Sequence, residues 1–195
     1  NAPASPSHKS KLGVGLVFTR TLDGQDIYAR PLQSRDIPHR LEHYYRPYHR
    51  ALSQVLDETH AAFGMVWHLN CHSMPALAAG STCGSRNRTR PDFCLGDRHG
   101  TTCSPALLEC AAACLRGMGY CVSINDPYAG VELVARHGRP EEGRHSLQIE
   151  INRSLYMNEA QHTPHRGLPA TQAALEQLMA FLADQLRSTL AIAAE

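Results

Sequence analysis

The sequence predicts an α/β fold built on a mostly parallel sheet flanked by helices. Three observations carry that expectation. Short runs of strand length recur at Met65–Leu69, Asp92–Gly96, Tyr120–Ile124 and His145–Ile151, with helical patterns before, between and after them. An apolar stripe at three- and four-residue spacing runs from Ile37 to Leu56. A strongly amphipathic segment, Thr171–Ala193, closes the chain. A folded chain of 195 residues buries roughly 70% of its unfolded surface, enough for one core without covalent staples. The expected organisation is a polar, Ser/Pro/Lys-rich leader at residues 1–11 followed by a single α/β domain at 12–195.

Taken in order, Leu12–Phe18 is a short β-branched run, and the turn Leu22-Asp23-Gly24-Gln25 follows it with the Asp-Gly signal of a hairpin. Ser34-Arg35-Asp36 opens the long helix, with Pro38 tolerated in its first turn. Ile37, Leu41, Tyr44, Tyr48, Leu52, Val55 and Leu56 make its apolar stripe. Pro47 sits inside that pattern and is expected to kink or divide it. Gly64 ends it. Ser104-Pro105-Ala106 starts a second helix reaching about Arg116 and closed by Gly117 or Gly119.

Composition excludes several function classes. Nineteen Lys and Arg against eighteen Asp and Glu leave a formal charge of +1, without the basic excess that phosphate neutralisation requires, so nucleic acid is not the expected partner. No apolar run approaches the ~20 residues of a membrane span. No basic start precedes an apolar segment, so no export signal is visible. The seven cysteines include no C-x-x-C pair. Cys110 and Cys114, one helical turn apart in an Ala-rich stretch, resemble small core residues. Reduced thiols and a cytoplasmic location are expected. Neither cysteine pairing nor oligomeric state is readable.

In open α/β sheets ligands gather beyond the carboxyl ends of strands, and the segments there are chemically rich. They read Asn70-Cys71-His72-Ser73-Met74-Pro75, then Gly96-Asp97-Arg98-His99-Gly100, then Asn125-Asp126-Pro127-Tyr128-Ala129-Gly130. The fourth strand carries Gln148, Glu150 and Asn152 on one face by its period of two, with Arg153 just beyond. Four strand ends presenting His, Asp, Arg, Asn, Tyr and Glu suit a hydrolytic site. Glu150 stands out, because a carboxylate between Ile149 and Ile151 in a central strand costs several kcal/mol to bury unless it is paired or used. His68 reads as core, and Asp97 with Arg98 as a surface ion pair of little worth. The Gly-containing stretch Asp97–Ser104 lacks the spacing and the Lys of a phosphate loop.

Five ordered strings carry a resemblance. They are Asn70–Pro75, Leu95-Gly96-Asp97-Arg98, Asn125–Gly130, Arg136-His137-Gly138-Arg139-Pro140 and the longest, Leu147-Gln148-Ile149-Glu150-Ile151-Asn152-Arg153-Ser154-Leu155-Tyr156-Met157. Together with Tyr45-Arg46-Pro47-Tyr48-His49 they resemble the N-formylglutamate amidohydrolase (N-formylglutamate deformylase) family, from about Thr19 to the closing helix. The resemblance implies a zinc-carboxypeptidase-like, phosphorylase/hydrolase-like fold with a mixed sheet. It also implies zinc-dependent hydrolysis of the formamide of N-formyl-L-glutamate to formate and L-glutamate, in histidine degradation.

By the same analogy His72 matches a metal-ligand histidine and Glu150 the catalytic carboxylate. Arg153, Arg136, Arg98 and Arg139 are candidates for the substrate's carboxylates, with Asn125 and Tyr128 as polar positioners. Zinc, or another divalent metal in its place, takes three protein ligands and a water in such sites. The family's upstream region, with a Pro-His-Ser-Gly-like string, has no counterpart here. The remaining ligands are therefore expected upstream and the fold N-terminally incomplete. Two alternatives stay open: a zinc peptidase or amidase of the same fold acting on another acyl-amino acid, and a metal-free binding domain.

Overall fold

In a computed structural model of the chain, residues 15, 17–21, 24–33, 35–76 and 90–193 are described. The expected leader at residues 1–11, and most of the Leu12–Phe18 run, lie outside them. The chain divides into two compact units, residues 1–54 and 55–195.

The first unit is built around a turn and a helical rod. The amide of Thr21 donates to the carbonyl of Gln25 at 2.9 Å, and Arg20 pairs with Asp26 as an antiparallel bridge reinforced by a 3.1 Å ion pair. The turn thus falls where the Asp-Gly signal lies, although Leu22 and Asp23 are outside the described residues. Helix α1 (Asp36–Arg40) runs into one turn of π-helix at Leu41–Tyr45 and then into α2 (Arg46–Phe63). The amide of Arg46 reaches back to the carbonyl of Leu41, one residue further than in an α-helix. Pro47 explains the defect. It has no N–H to give, and its ring crowds the carbonyl four residues back, so the chain widens its helix just before it.

The second unit holds the sheet. Strands β1 (Val66–Met74), β2 (Phe93–Gly96), β3 (Val122–Ile124) and β4 (Arg144–Asn152) assemble in the order β1-β4-β2-β3. β1 with β4 and β2 with β3 are parallel, whereas β2 with β4 is antiparallel. The sheet is mixed and mostly parallel, as expected, with β4 central. The reversal corrects one expectation, because the loops after β2 and β3 leave from the edge opposite to those after β1 and β4.

Period-two alternation sorts β4 onto two faces. Leu147, Ile149 and Ile151 join Phe93 and Leu95 of β2 in the apolar core, with Leu107, Ala111 and Leu115 of α3 (Pro105–Gly117). Leu178 and Leu182 complete it from the closing helix, Leu168–Ala193, which packs on α3. Each large aliphatic side chain so buried contributes about 1.5–3 kcal/mol. Ser104 caps α3, its hydroxyl accepting from the Leu107 amide at 3.3 Å, with Pro105 at the first helical position. On the other face lie Ser146, Gln148 and Glu150, beside His68, Asn70 and His72 of β1. The short helix α4 (Glu132–His137) packs on β4. Later come a two-stranded ladder of β5 (Met157–Asn158) and β6 (Thr163–Pro164), and the closing helix, labelled α5. No helix among the described residues is long and apolar enough to cross a membrane.

Candidate active site

The polar face of the β1–β4 pair is where chemistry collects. Parallel register puts His72 directly opposite Glu150, and Nδ1 of the imidazole stands 3.7 Å from Oε1 of the carboxylate. Glu150 is buried, with 5% of its surface exposed, while the His72 side chain is 39% exposed at the end of β1. Burial pushes the Glu150 carboxyl above the ordinary glutamate range. His72, a hydrogen bond from Gln148, Arg153 and Arg90 pull the other way without cancelling it.

Arg153 begins the 3-10 turn after β4. Its Nε donates to Ser73 Oγ at 3.2 Å, next to His72, and an outer nitrogen pairs with Glu159 at 3.2 Å. Glu159 in turn accepts from the Ala76 amide at 2.9 Å, so the exits of β1 and β4 are tied together.

On the other side of β4, Cys94 lies opposite Glu150 and Gly96 opposite Gln148. The loop Asp126–Gly130 folds over both. The Cys94 sulfur lies 3.3 Å from the carbonyl oxygens of both Asp126 and Tyr128, its single S–H within reach of either. Gly96 lets that backbone approach, since a Cβ there would sit 2.7 Å from the Ala129 carbonyl carbon and from the Gly130 nitrogen. The loop presents Tyr128, whose hydroxyl accepts from Arg90 while the guanidinium carbon lies 5.1 Å from the ring centre.

A family model described as N-formylglutamate amidohydrolase matches residues 1–157. The chain belongs to the N-formylglutamate amidohydrolase family. A crystal structure of N-formylglutamate amidohydrolase from Ralstonia eutropha superposes with a TM-score of 0.88 at 42% identity, covering 96% of this chain and 67% of that one. A curated N-formylglutamate deformylase of Pseudomonas putida is 29% identical over 174 residues, 85% of this chain. That of Pseudomonas aeruginosa is 28% identical over the same length. The chain spans 62% of the length of each Pseudomonas relative. A gene product of Agrobacterium tumefaciens, at 22% identity and a TM-score of 0.53, shares the fold alone.

Within this amidohydrolase-family fold the expected residues separate into groups. His72, Glu150 and Arg153 come together, with Tyr128 brought near through Arg90 and Cys94. Asn125 holds a neighbouring loop. Its amide donates to Asp97 Oδ1 at 2.7 Å and accepts from the Asp97 N–H at 3.1 Å, with its own backbone in the left-handed region at φ 57°. Arg98 donates to the Gly130 carbonyl at 3.3 Å. Arg136 pairs with Glu132 one turn earlier on α4, at 2.7 Å. Arg139 bridges to Arg144 at the start of β4, six residues or about 20 Å of strand from Glu150.

One contributor was missed in the sequence. Arg90 belongs to none of the recognisable strings and enters only through tertiary contact with Tyr128. Asn70, which heads the first of the strings, is 8% exposed, and among the described residues its Nδ2 has no hydrogen-bond partner, which periodicity cannot reveal.

For zinc the donor chemistry is right, an imidazole beside a carboxylate, but three protein donors are needed. Among the described residues no group of three His, Cys, Asp or Glu side chains converges. The described residues alone therefore do not complete a zinc centre. The six described cysteines are free thiols.

Proposed function

We propose that this chain supplies the acid–base group of an amidohydrolase that cleaves the formamide of N-formyl-L-glutamate into formate and L-glutamate. The observation that carries this reading is Glu150, buried on the central strand and facing His72 at 3.7 Å. A carboxylate whose proton affinity is raised by burial suits both halves of amide hydrolysis. As the anion, Glu150 accepts a proton from the attacking water as the water's oxygen bonds to the formyl carbon. As the acid, it returns that proton to the nitrogen as the C–N bond breaks, releasing formate and the free amine.

Arg153 and Arg90 set two cations about this carboxylate, a match for a substrate with two carboxylates of its own. His72 is proposed as one zinc ligand, with further donors outside the described residues. When bound, zinc lowers the pKa of a coordinated water and polarises a carbonyl. A cytoplasmic location, where the cysteines persist as thiols, accords with this chemistry.

The test is formate release from N-formyl-L-glutamate by the full-length, zinc-loaded protein, with N-acetyl-L-glutamate alongside. Formate and glutamate in equal amounts support the reading. Faster turnover of the acetyl compound moves the assignment to another acyl-amino acid. A folded, zinc-loaded protein that turns over neither overturns it.

A further inference from the structure

Gln148 is fully buried on β4, two residues before Glu150 and on the same face. Its amide is engaged at both ends. Oε1 accepts from the backbone N–H of Val131 at 2.9 Å, and Nε2 donates to Oε1 of Glu150 at 2.8 Å. A primary amide can be turned end for end at little cost in shape, and the two orientations would offer Glu150 opposite partners, a donor or a repelling oxygen. Val131 removes the choice. Its N–H can only donate, so the oxygen of Gln148 must face it and the nitrogen must face the carboxylate. Val131 is the N-cap residue just before α4, so the lock belongs to the backbone and not to a second flexible side chain. The Glu150 oxygen held by Gln148 is the one that faces His72, and among the described residues nothing hydrogen-bonds Oε2.

We infer that Gln148 is a positioning residue for Glu150, an amide bridge from the Val131 backbone that fixes Oε1 and leaves Oε2 as the oxygen that exchanges the proton. The inference rests on the proposed acid–base role of Glu150. A residue acting in this way shapes turnover through Glu150 alone, whereas one that only anchors α4 to the sheet affects stability and substrate binding independently of Glu150.

The experiment is a set of variants of the full chain, read as kcat and KM for formate release: Gln148→Met, Gln148→Glu, Glu150→Gln and the double variant Gln148→Met/Glu150→Gln. Gln148→Glu keeps an acceptor for Val131 but sets a second buried carboxyl group against Glu150 in place of the amide donor. Both Gln148 variants are expected to lower kcat about 10- to 100-fold with KM nearly unchanged. In the double variant, Gln148→Met is expected to add nothing to the loss already caused by Glu150→Gln.

A second readout does not depend on turnover. In the nitrogen-15-labelled chain the Gln148 side-chain amide protons are expected to be slow to exchange with solvent, and to become fast in Glu150→Ala. Wild-type kcat in Glu150→Gln removes the acid–base reading itself. If Glu150→Gln is crippled, the positioning role is overturned by wild-type kcat in Gln148→Met or by a full multiplicative loss in the double variant. Amide exchange unaffected by Glu150→Ala overturns it as well.

Discussion

His72 and Glu150 face each other across the β1–β4 ladder, Nδ1 to Oε1 at 3.7 Å, because the parallel register aligns their Cα positions. Neighbours on two strands of one sheet are held by backbone hydrogen bonds, so their separation does not depend on a loop. The two nevertheless differ in surroundings. Glu150 is walled in by β2 and the Asp126–Gly130 loop, while the imidazole stands more open at the end of β1.

Different surroundings predict different losses. Glu150→Gln keeps shape and removes proton transfer, so kcat for formate release should fall at least ~10²-fold with zinc content unchanged. His72→Ala should lower zinc content as well as activity. Metal analysis of both variants checks the split. Zinc lost from Glu150→Gln, or retained in His72→Ala, would reverse the two roles.

How much of this was readable before the fold was known differs from residue to residue. The two faces of β4 were legible, because alternation of Gln148, Glu150 and Asn152 with Ile149 and Ile151 has only one interpretation in a strand. The defect before Pro47 was legible as a kink, since the missing N–H is a local property. The direction of β2 was not. Phe93–Gly96 reads the same whichever way it runs, and its antiparallel pairing with β4 is decided by connections far along the chain. For the same reason the sequence could list Arg98, Arg136, Arg139 and Arg153 as equals. Only tertiary structure sets Arg153 beside Ser73 and leaves Arg139 at the far end of β4.

Arg153 is the expected arginine nearest the carboxylate, acting on Glu150 and bonded to Ser73 and Glu159. Arg153→Ala should raise KM for N-formyl-L-glutamate about tenfold or more, the worth of a hydrogen bond to a charged group. KM for an N-formyl amino acid with an uncharged side chain should change far less. Steady-state kinetics on the two substrates checks it, and equal losses would remove Arg153 from recognition of the second carboxylate.

Gly96 gives a test of the loop that carries Tyr128. A methyl group there meets the Ala129 carbonyl carbon and the Gly130 nitrogen at 2.7 Å, and backbone cannot swing away as a side chain can. Gly96→Ala should therefore destabilise the fold by about 1–3 kcal/mol and displace the Asp126–Gly130 loop. Denaturant unfolding measures the first effect. Loss of hydrogen-exchange protection at the Arg98 amide, which donates to the Ala129 carbonyl at 2.6 Å, reports the second. A variant as stable as the parent would mean that the loop packs less closely on β2 than the structure has it.

His68 gives the fold a dependence on pH. Its Nδ1 lies 2.8 Å from the buried Ser146 hydroxyl, and the His137 ring stands edge-on to it at 6.1 Å. Burial first, and His137 second, lower its pKa from 6.5 to about 4. A histidine depressed in this way is neutral in the folded chain while the unfolded chain takes up a proton below pH 6.5. Its contribution is therefore fully present above that pH and is lost as pH falls towards about 4. His145, lowered by burial, acts in the same direction, so the single site must be read as a difference. The unfolding free energy of the parent, minus that of His68→Gln, should be flat above pH 6.5 and fall by about 2 kcal/mol by pH 5. Urea titrations of both proteins across that range decide it. A difference that does not change with pH would mean that His68 binds its proton equally well in the folded and unfolded chains.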